Sequence, residues 1–382
     1  MWAGGGALDD LLTGDHEVSV TADAWYLGEA VWPDLRVTAA TTVSEFDGST
    51  VRTTAELAVD DAEGALVPTM PTDPLAGFGQ SVTVAVDVSA GRVSERVPVG
   101  EFRVEPVTAD GGWRPVTKRG TLFWLATGGT IQVPLVDNIA RVVDAELRGL
   151  MVPRGPTNRA ELDRLITGLP GVRADWSGLP SASVTAGGAA YGESRLDAVV
   201  SYVRDRGRVL GTDRDGMLVV LNPNLKTVPD LVVTTDTPRW VDTTITPSRD
   251  GIYNQVETTG QETEDGKPPP TGFTQVLDGP YGVRTLGPRL LRQHSEFFRN
   301  RTQAQMGAQT RLRTSISARR VRFQVTQILD PRVECLDTHR VAIRPRTGGD
   351  VTVLALVVGV SIDWMQAEMT VTYEVPREVL EQ

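Results

Sequence analysis

Side chains able to carry acid–base, nucleophilic or metal chemistry are few and scattered in this 382-residue chain. Its three histidines, His16, His294 and His339, stand far apart in different stretches. No Gly-x-Ser-x-Gly elbow, no His-Glu-x-x-His pair and no Walker-type glycine loop is spelled out. Cys335 is the single cysteine, so an internal disulfide framework and a cysteine zinc cluster are both excluded. It reads as a small buried hydrophobe.

Carboxylates are plentiful, but their spacing is wrong for paired acid–base work. Asp60 and Asp61 are adjacent, so on a strand they point to opposite faces. Glu161 and Asp163 lie two apart on an expected helix and do not face each other. Asp9 and Asp10 fall in a leader. The run "TDRDG" puts Asp213 and Asp215 ahead of Gly216 like the start of a calcium loop, yet the later Glu is missing, and a hairpin turn explains it. Gly128 and Gly129 in "ATGGTI" read as a turn. Trp25, Tyr26 and Trp32 admit a sugar platform but are read as strand-packing anchors. Arg319, Arg320 and Arg322 suit phosphate or an acidic protein partner equally well. The residues therefore point away from an enzyme and call for no cofactor or metal.

Bulk properties narrow the class further. With 40% hydrophobic and 23% charged residues the chain is of ordinary globular make-up, long enough for two to four domains. The longest apolar run, "VTVLALVVGV" at 351–360, is strand length, so no membrane span is expected. The start, "MWAGGGALDDLL", lacks a basic region and apolar core, so no secretory leader is expected. A net charge of −11 argues against a protein that grips nucleic-acid phosphates. The charge is uneven. Residues 1–110 hold 19 acids against 5 arginines, a net of −14, whereas 284–346 hold 14 arginines against 4 acids, a net of +10. Such asymmetry is either solvated surface or a means for one end of a subunit to meet the other end of its neighbour.

The elements that would carry these residues are mostly strands. Val82, Val84, Val86 and Val88 alternate with smaller or polar residues, "SAGR" turns, and Val97, Val99, Phe102 and Val104 lead back, with Pro98 and Gly100 kinking the return. With "EVSVTADAWYLGEAVWPDLRV" and "STVRTTAELAVDD", this makes residues 17–110 a β-domain after a leader at 1–16. Helical spacing then takes over: Ile139, Val142, Val143 and Leu147; Leu162, Leu165 and Ile166 behind an Asn158–Glu161 capping arrangement; and Leu196, Val199, Val200 and Val203. A hairpin over "RVLGTDRDGMLVVLNP" completes an α/β stretch at 111–225. Residues 226–382 return to β, with "DTTITPSRDGIYNQVETTG" as a strand pair, a polar insertion at about 260–298, and a helix carrying Ala304, Ala308, Leu312 and Ile316. The expected fold class is α+β, mainly β.

The series "TTAELAVDDAEGALVP", "TDPLAGFGQSVTVAVDV" and "VPVGEFRVEPV" resembles the first tube domain of tail-hub (baseplate hub) proteins of tailed bacteriophages, in particular minor tail proteins of phages of actinobacteria. "YGESRLDAVVSYVRDRGRVLGTDRDGMLVV" is similar to the helix and hairpin of that family's α/β domain, and "GIYNQVETTG" with the terminal strands to its second tube domain. One departure is Leu336-Asp337, where the family often has a Gly-Asp step. The resemblance implies two similar antiparallel β-barrel tube domains with an α/β insert domain between them and a smaller insertion in the second barrel. It implies a homotrimer of pseudo-sixfold symmetry in the virion tail tip, made in the host cytoplasm. The ring would join the tail tube above to a tip or spike below, beside the tape measure protein, and pass DNA through its bore without specific binding. On that expectation Arg319, Arg320 and Arg322 are assigned to subunit joints and Asp60, Asp61 and Asp87 to the bore. The chain stops at residue 382, so lytic or receptor-binding extensions are not expected. Rival expectations are a tail-associated cell-wall hydrolase and a carbohydrate-binding tail adhesin.

Overall fold

The computed structural model describes residues 8, 11–12, 15–62, 64–110, 113–118, 120–126, 128–148, 152, 154–179, 191–192, 194–204, 206–234, 240–245, 253–260, 268–279, 282–294, 300–317, 320–343 and 351–376. They fall into two compact units, one of residues 1–244 and 324–373, the other of residues 245–323 and 374–382. The fold is α+β and mainly β, with sheets that, among the described residues, are antiparallel apart from the pairs Ala174–Asp175 with Leu218–Leu221, Leu231–Val233 with Thr338–Ile343 and Gln255–Thr259 with Leu290–His294.

The first ten strands are β1 (Glu17–Tyr26), β2 (Glu29–Trp32), β3 (Val37–Phe46), β4 (Val51–Asp61), β5 (Ser81–Ala90), β6 (Val93–Val104), β7 (Thr108–Asp110), β8 (Trp113–Lys118), β9 (Thr121–Ala126) and β10 (Gly129–Val136). The middle strands are β11 (Ala174–Asp175), β12 (Val209–Thr212), β13 (Leu218–Leu221), β14 (Leu231–Val233) and β15 (Trp240–Ile245). The last are β16 (Gln255–Thr259), β17 (Thr271–Gln275), β18 (Leu290–His294), β19 (Arg320–Ile328), β20 (Thr338–Ile343), β21 (Val351–Asp363) and β22 (Glu368–Pro376).

One large sheet, most of whose residues belong to the first unit, runs β15-β19-β22-β21-β3-β4-β10-β6-β5-β1-β2, with β7 beside β10, β20 beside β21 and β14 beside β20. The β5–β6 hairpin forms across the expected turn, with Ala90 opposite Val93, and Val82, Val84, Val86 and Val88 are all buried. The kink at Pro98 and Gly100 is a β-bulge: Val84 pairs with Gly100 but Ala85 with Pro98, which leaves Val99 as the extra residue. Two separate closed barrels are not found among the described residues. Closing the first third would require β1 or β2 to pair with β3. The second edge of β3 is instead taken by β21, from Gly359↔Glu45 to Asp363↔Thr41, so the chain's first and last thirds share a sheet. Trp364 reinforces this seam, its indole N–H donating to the Thr42 hydroxyl at 3.1 Å.

The α/β stretch has its own core. Ile139, Val142, Leu162, Leu165, Val199, Val203, Leu210 and Leu218 pack together with Trp176 and Tyr202. Helices Asn158–Ile166 and Arg195–Arg204 supply most of it, beside a small sheet β11-β13-β12. Two expectations are corrected here. Helix Ile139–Val143 is a short turn, because Pro134, Leu135 and Val136 continue β10 against β4. The cap of the next helix is Thr157, whose hydroxyl accepts from the Ala160 amide; Asn158 and Glu161 are both buried and bonded elsewhere. Strands β7 to β9 have no counterpart in the sequence expectation.

In the second unit β16 lies between antiparallel β17 and parallel β18. Helix Arg301–Ser317 carries Ala304, Ala308 and Leu312 as its buried row, as its four-residue spacing predicts; Ala308 and Leu312 pack with Val256. The Thr258 hydroxyl donates to the Ala304 carbonyl at 2.7 Å. β15 and β16 do not pair as expected but belong to different sheets, and the Asp250-Gly251 turn lies outside the described residues.

Candidate functional site

The residues singled out by chemistry are dispersed. Asp60 stands opposite Thr130 on β10. Asp61 is 4% exposed, and its carboxylate accepts the Ala65 and Leu66 amides at 2.8 and 3.0 Å, tying the loop after β4 to the strand end. Its charge is turned inward. Asp87 faces Arg96 across the β5–β6 hairpin, with a 3.9 Å ion pair. β6 and β10 lie between β5 and β4, so Asp87 and Asp60 form no common site. Arg322 pairs with Glu374 at 3.1 Å. Arg320 opens β19, and Arg319 lies outside the described residues. Trp25 pairs with Ala30 and Trp32 with Ala24, with a break in the register of the β1–β2 ladder between the two pairs. The Trp25 indole N–H donates to the Thr83 hydroxyl at 3.0 Å, a strand-packing role.

Glu161 and Asp163 serve structure. Burial pushes the Glu161 carboxyl up, but hydrogen bonds from Arg164, the Arg154 and Gly155 amides and the Tyr191 hydroxyl outweigh it and hold the group at about 2. Asp163 accepts the Trp176 indole N–H at 2.8 Å. The Cys335 thiol is pushed up by burial and stays protonated. Among the described residues no group of three or more His, Cys, Asp or Glu could hold a metal ion. Among them, too, no helix is long and apolar enough to cross a membrane.

What the first unit does bring together is a junction that fixes the α/β insert to the large sheet. Its centre is Arg214, at the tip of the β12–β13 hairpin. One guanidinium donates to the Pro98 carbonyl at 2.9 Å, the Pro331 carbonyl at 2.8 Å and the Glu334 carboxylate at 2.7 Å. Three segments more than a hundred residues apart thus meet on one rigid planar fork, the geometry arginine provides and lysine does not. Val99 and Gly100 of the bulge, Arg214, Glu334 and Cys335 line a cleft of about 180 Å³ beside it. The hairpin presents Arg214 because Asp213 accepts the Asp215 and Met217 amides at 3.0 and 2.8 Å, while Gly216 takes φ +70°, so the turn is fixed from within.

Two further ties surround it. Asp137, buried at the end of β10, accepts Arg52 Nε at 3.0 Å, the Thr53 amide at 2.7 Å and the Ile139 amide at 3.1 Å. Its neighbour Asn138 donates to the Gly216 carbonyl at 2.9 Å. Arg173 pairs with Glu101 at 2.8 Å and also donates to the Asp215 carbonyl at 2.5 Å. The charges here are satisfied by one another: each charged group is bound to a fixed partner. Sequence reasoning read "TDRDG" as a turn and passed over its arginine; a long cation inside an acidic two-strand turn was the available signal.

No protein-family model and no curated protein matches the chain. Solved structures do. A 43 kDa tail protein of prophage MuSo2 from Shewanella oneidensis is 14% identical, with 94% of this chain and 99% of that one covered at a TM-score of 0.55. A tail protein from Neisseria meningitidis MC58 is also 14% identical, with 94% and 97% covered at a TM-score of 0.56. A Francisella PdpA–VgrG complex, half-lidded, is 7% identical, with 94% of this chain but 57% of that chain covered at a TM-score of 0.51. At these identities the likeness is one of fold.

Proposed function

We propose that the chain is a structural, non-enzymatic hub protein of a phage-type tail tip or baseplate. The observation that carries this reading is a fold shared from end to end with two tail proteins, one of them from a prophage, covering 94% of this chain and nearly all of theirs. The junction on Arg214 supports it, since a ring that bears load between a tube and a tip needs its domains fixed to one another. The structural engagement of Glu161, Asp163 and Asp61 supports the absence of hydrolytic work.

In this reading three copies close a ring by heterologous contacts, and the β-strands of residues 17–110 and 226–382 each supply one module of a pseudo-sixfold wall. The insert at 111–225 braces that wall. Tail-tube proteins dock above, and a tip or spike with the tape measure protein below. DNA crosses the bore unbound, because acids such as Asp60 and Asp87 repel phosphate. The virion tail tip is the place of action. Averaged images of the purified full chain test the reading: rings with threefold or sixfold density are expected, and reproducible turnover of peptidoglycan would replace it with the hydrolase.

A further inference from the structure

One end of the first sheet holds large apolar side chains out into solvent on a rigid frame. Leu27, in the β1–β2 turn, is 80% exposed and takes φ +52°, a left-handed conformation in which Asn or Gly is the low-cost choice. The loop from Ala65 to Gln80 exposes Met70 (62%) and Phe78 (70%). That loop is fixed by its own side chains. Asp73 accepts the Thr69 and Met70 amides at 2.6 and 2.7 Å. Gln80, itself buried, accepts the Phe78 amide at 2.7 Å and donates to the Pro71 and Asp73 carbonyls at 2.8 and 2.9 Å. Leu66 and Leu75 anchor it in the core. Trp25 pairs with Ser81, so Leu27 and Phe78 both run off the same end of the β1–β5 ladder. Preorganised exposed hydrophobes gathered at one end are the mark of a contact surface.

We propose that this end docks on the arginine-rich segment of a second copy of the chain. Charge complementarity selects that occupant. Glu29 and Asp34 are exposed beside the apolar residues, within a stretch of net charge −14, whereas residues 284–346 carry a net +10. There, helix Arg301–Ser317 exposes Met306 and, on other sides of the same helix, Arg301 and Arg311, so it offers both apolar surface and cations to an end that carries apolar groups and acids. The contact is heterologous, as a closed ring requires, and it rests on the ring reading above.

Sedimentation of the full chain over a concentration series tests it. Leu27→Asn suits the left-handed turn and Phe78→Ser removes only exposed surface, so the double variant should unfold at the same temperature as the wild type. Its self-association Kd should rise about tenfold or more. Arg301→Glu with Arg311→Glu, on the arginine-rich segment, should weaken assembly likewise, and more so at low salt. If both double variants assemble within about twofold of the wild type, the ring stands but another occupant covers this end, and the inference falls. A wild type that is monomeric throughout defeats the ring reading first and this inference with it.

Discussion

At the scale of single residues, two side chains carry consequences that can be measured. Arg214 satisfies two carbonyls and a carboxylate from distant segments, so Arg214→Ala should destabilise the first unit by about 2–4 kcal/mol in urea unfolding. Arg214→Lys keeps the charge but not the fork and should recover less than half of that loss. His339 is fully buried, and its Nδ1 shares a 2.9 Å hydrogen bond with the Tyr373 hydroxyl. Burial holds the imidazole down at about 4, against the opposing pull of Asp230 and Asp330. The unfolded chain, with an ordinary histidine near 6.5, binds the proton first. Stability is therefore intact above pH 6.5 and declines as pH falls from there to about 4, by roughly 3 kcal/mol from this residue alone. Subtracting the pH profile of His339→Gln from that of the wild type should isolate this slope; parallel profiles would refute it.

At the scale of elements, legibility followed the range of the interaction. The valines of β5 and the alanines of helix Arg301–Ser317 declared their faces, because period-two and four-residue spacing are local. The β5–β6 bulge was visible as Pro98 and Gly100, though not that it would line a cleft. The pairing of β21 with β3 was not visible, since either edge of β3 has the same pattern and only the whole sheet decides which strand takes it. Arg214 and Asp137 were missed for the same reason: apart from the Ile139 amide, their partners lie 84 to 120 residues away. Packing of helix on sheet in the second unit depends on one small residue. A Cβ on Gly272 would sit 2.4 Å from the Ala304 carbonyl carbon, so Gly272→Ala should push the helix off β17 and cost about 1–3 kcal/mol. Hydrogen exchange should then quicken in β16 to β18 while the first unit keeps its protection; uniform protection would show that the close approach is unimportant.

At the scale of the whole molecule, three observations stand together: a fold shared with tail proteins over nearly their full length, an insert fixed to the main sheet by satisfied charges, and a charge distribution that sets acidic residues 1–110 against basic residues 284–346. None of them requires chemistry at a substrate, and all suit a part that is built into something larger. The most direct test is the native mass of the purified 41.3-kDa chain across a range of concentration and salt. The account predicts a species of three copies, favoured at low salt. A chain that remains a single copy at every concentration would contradict it.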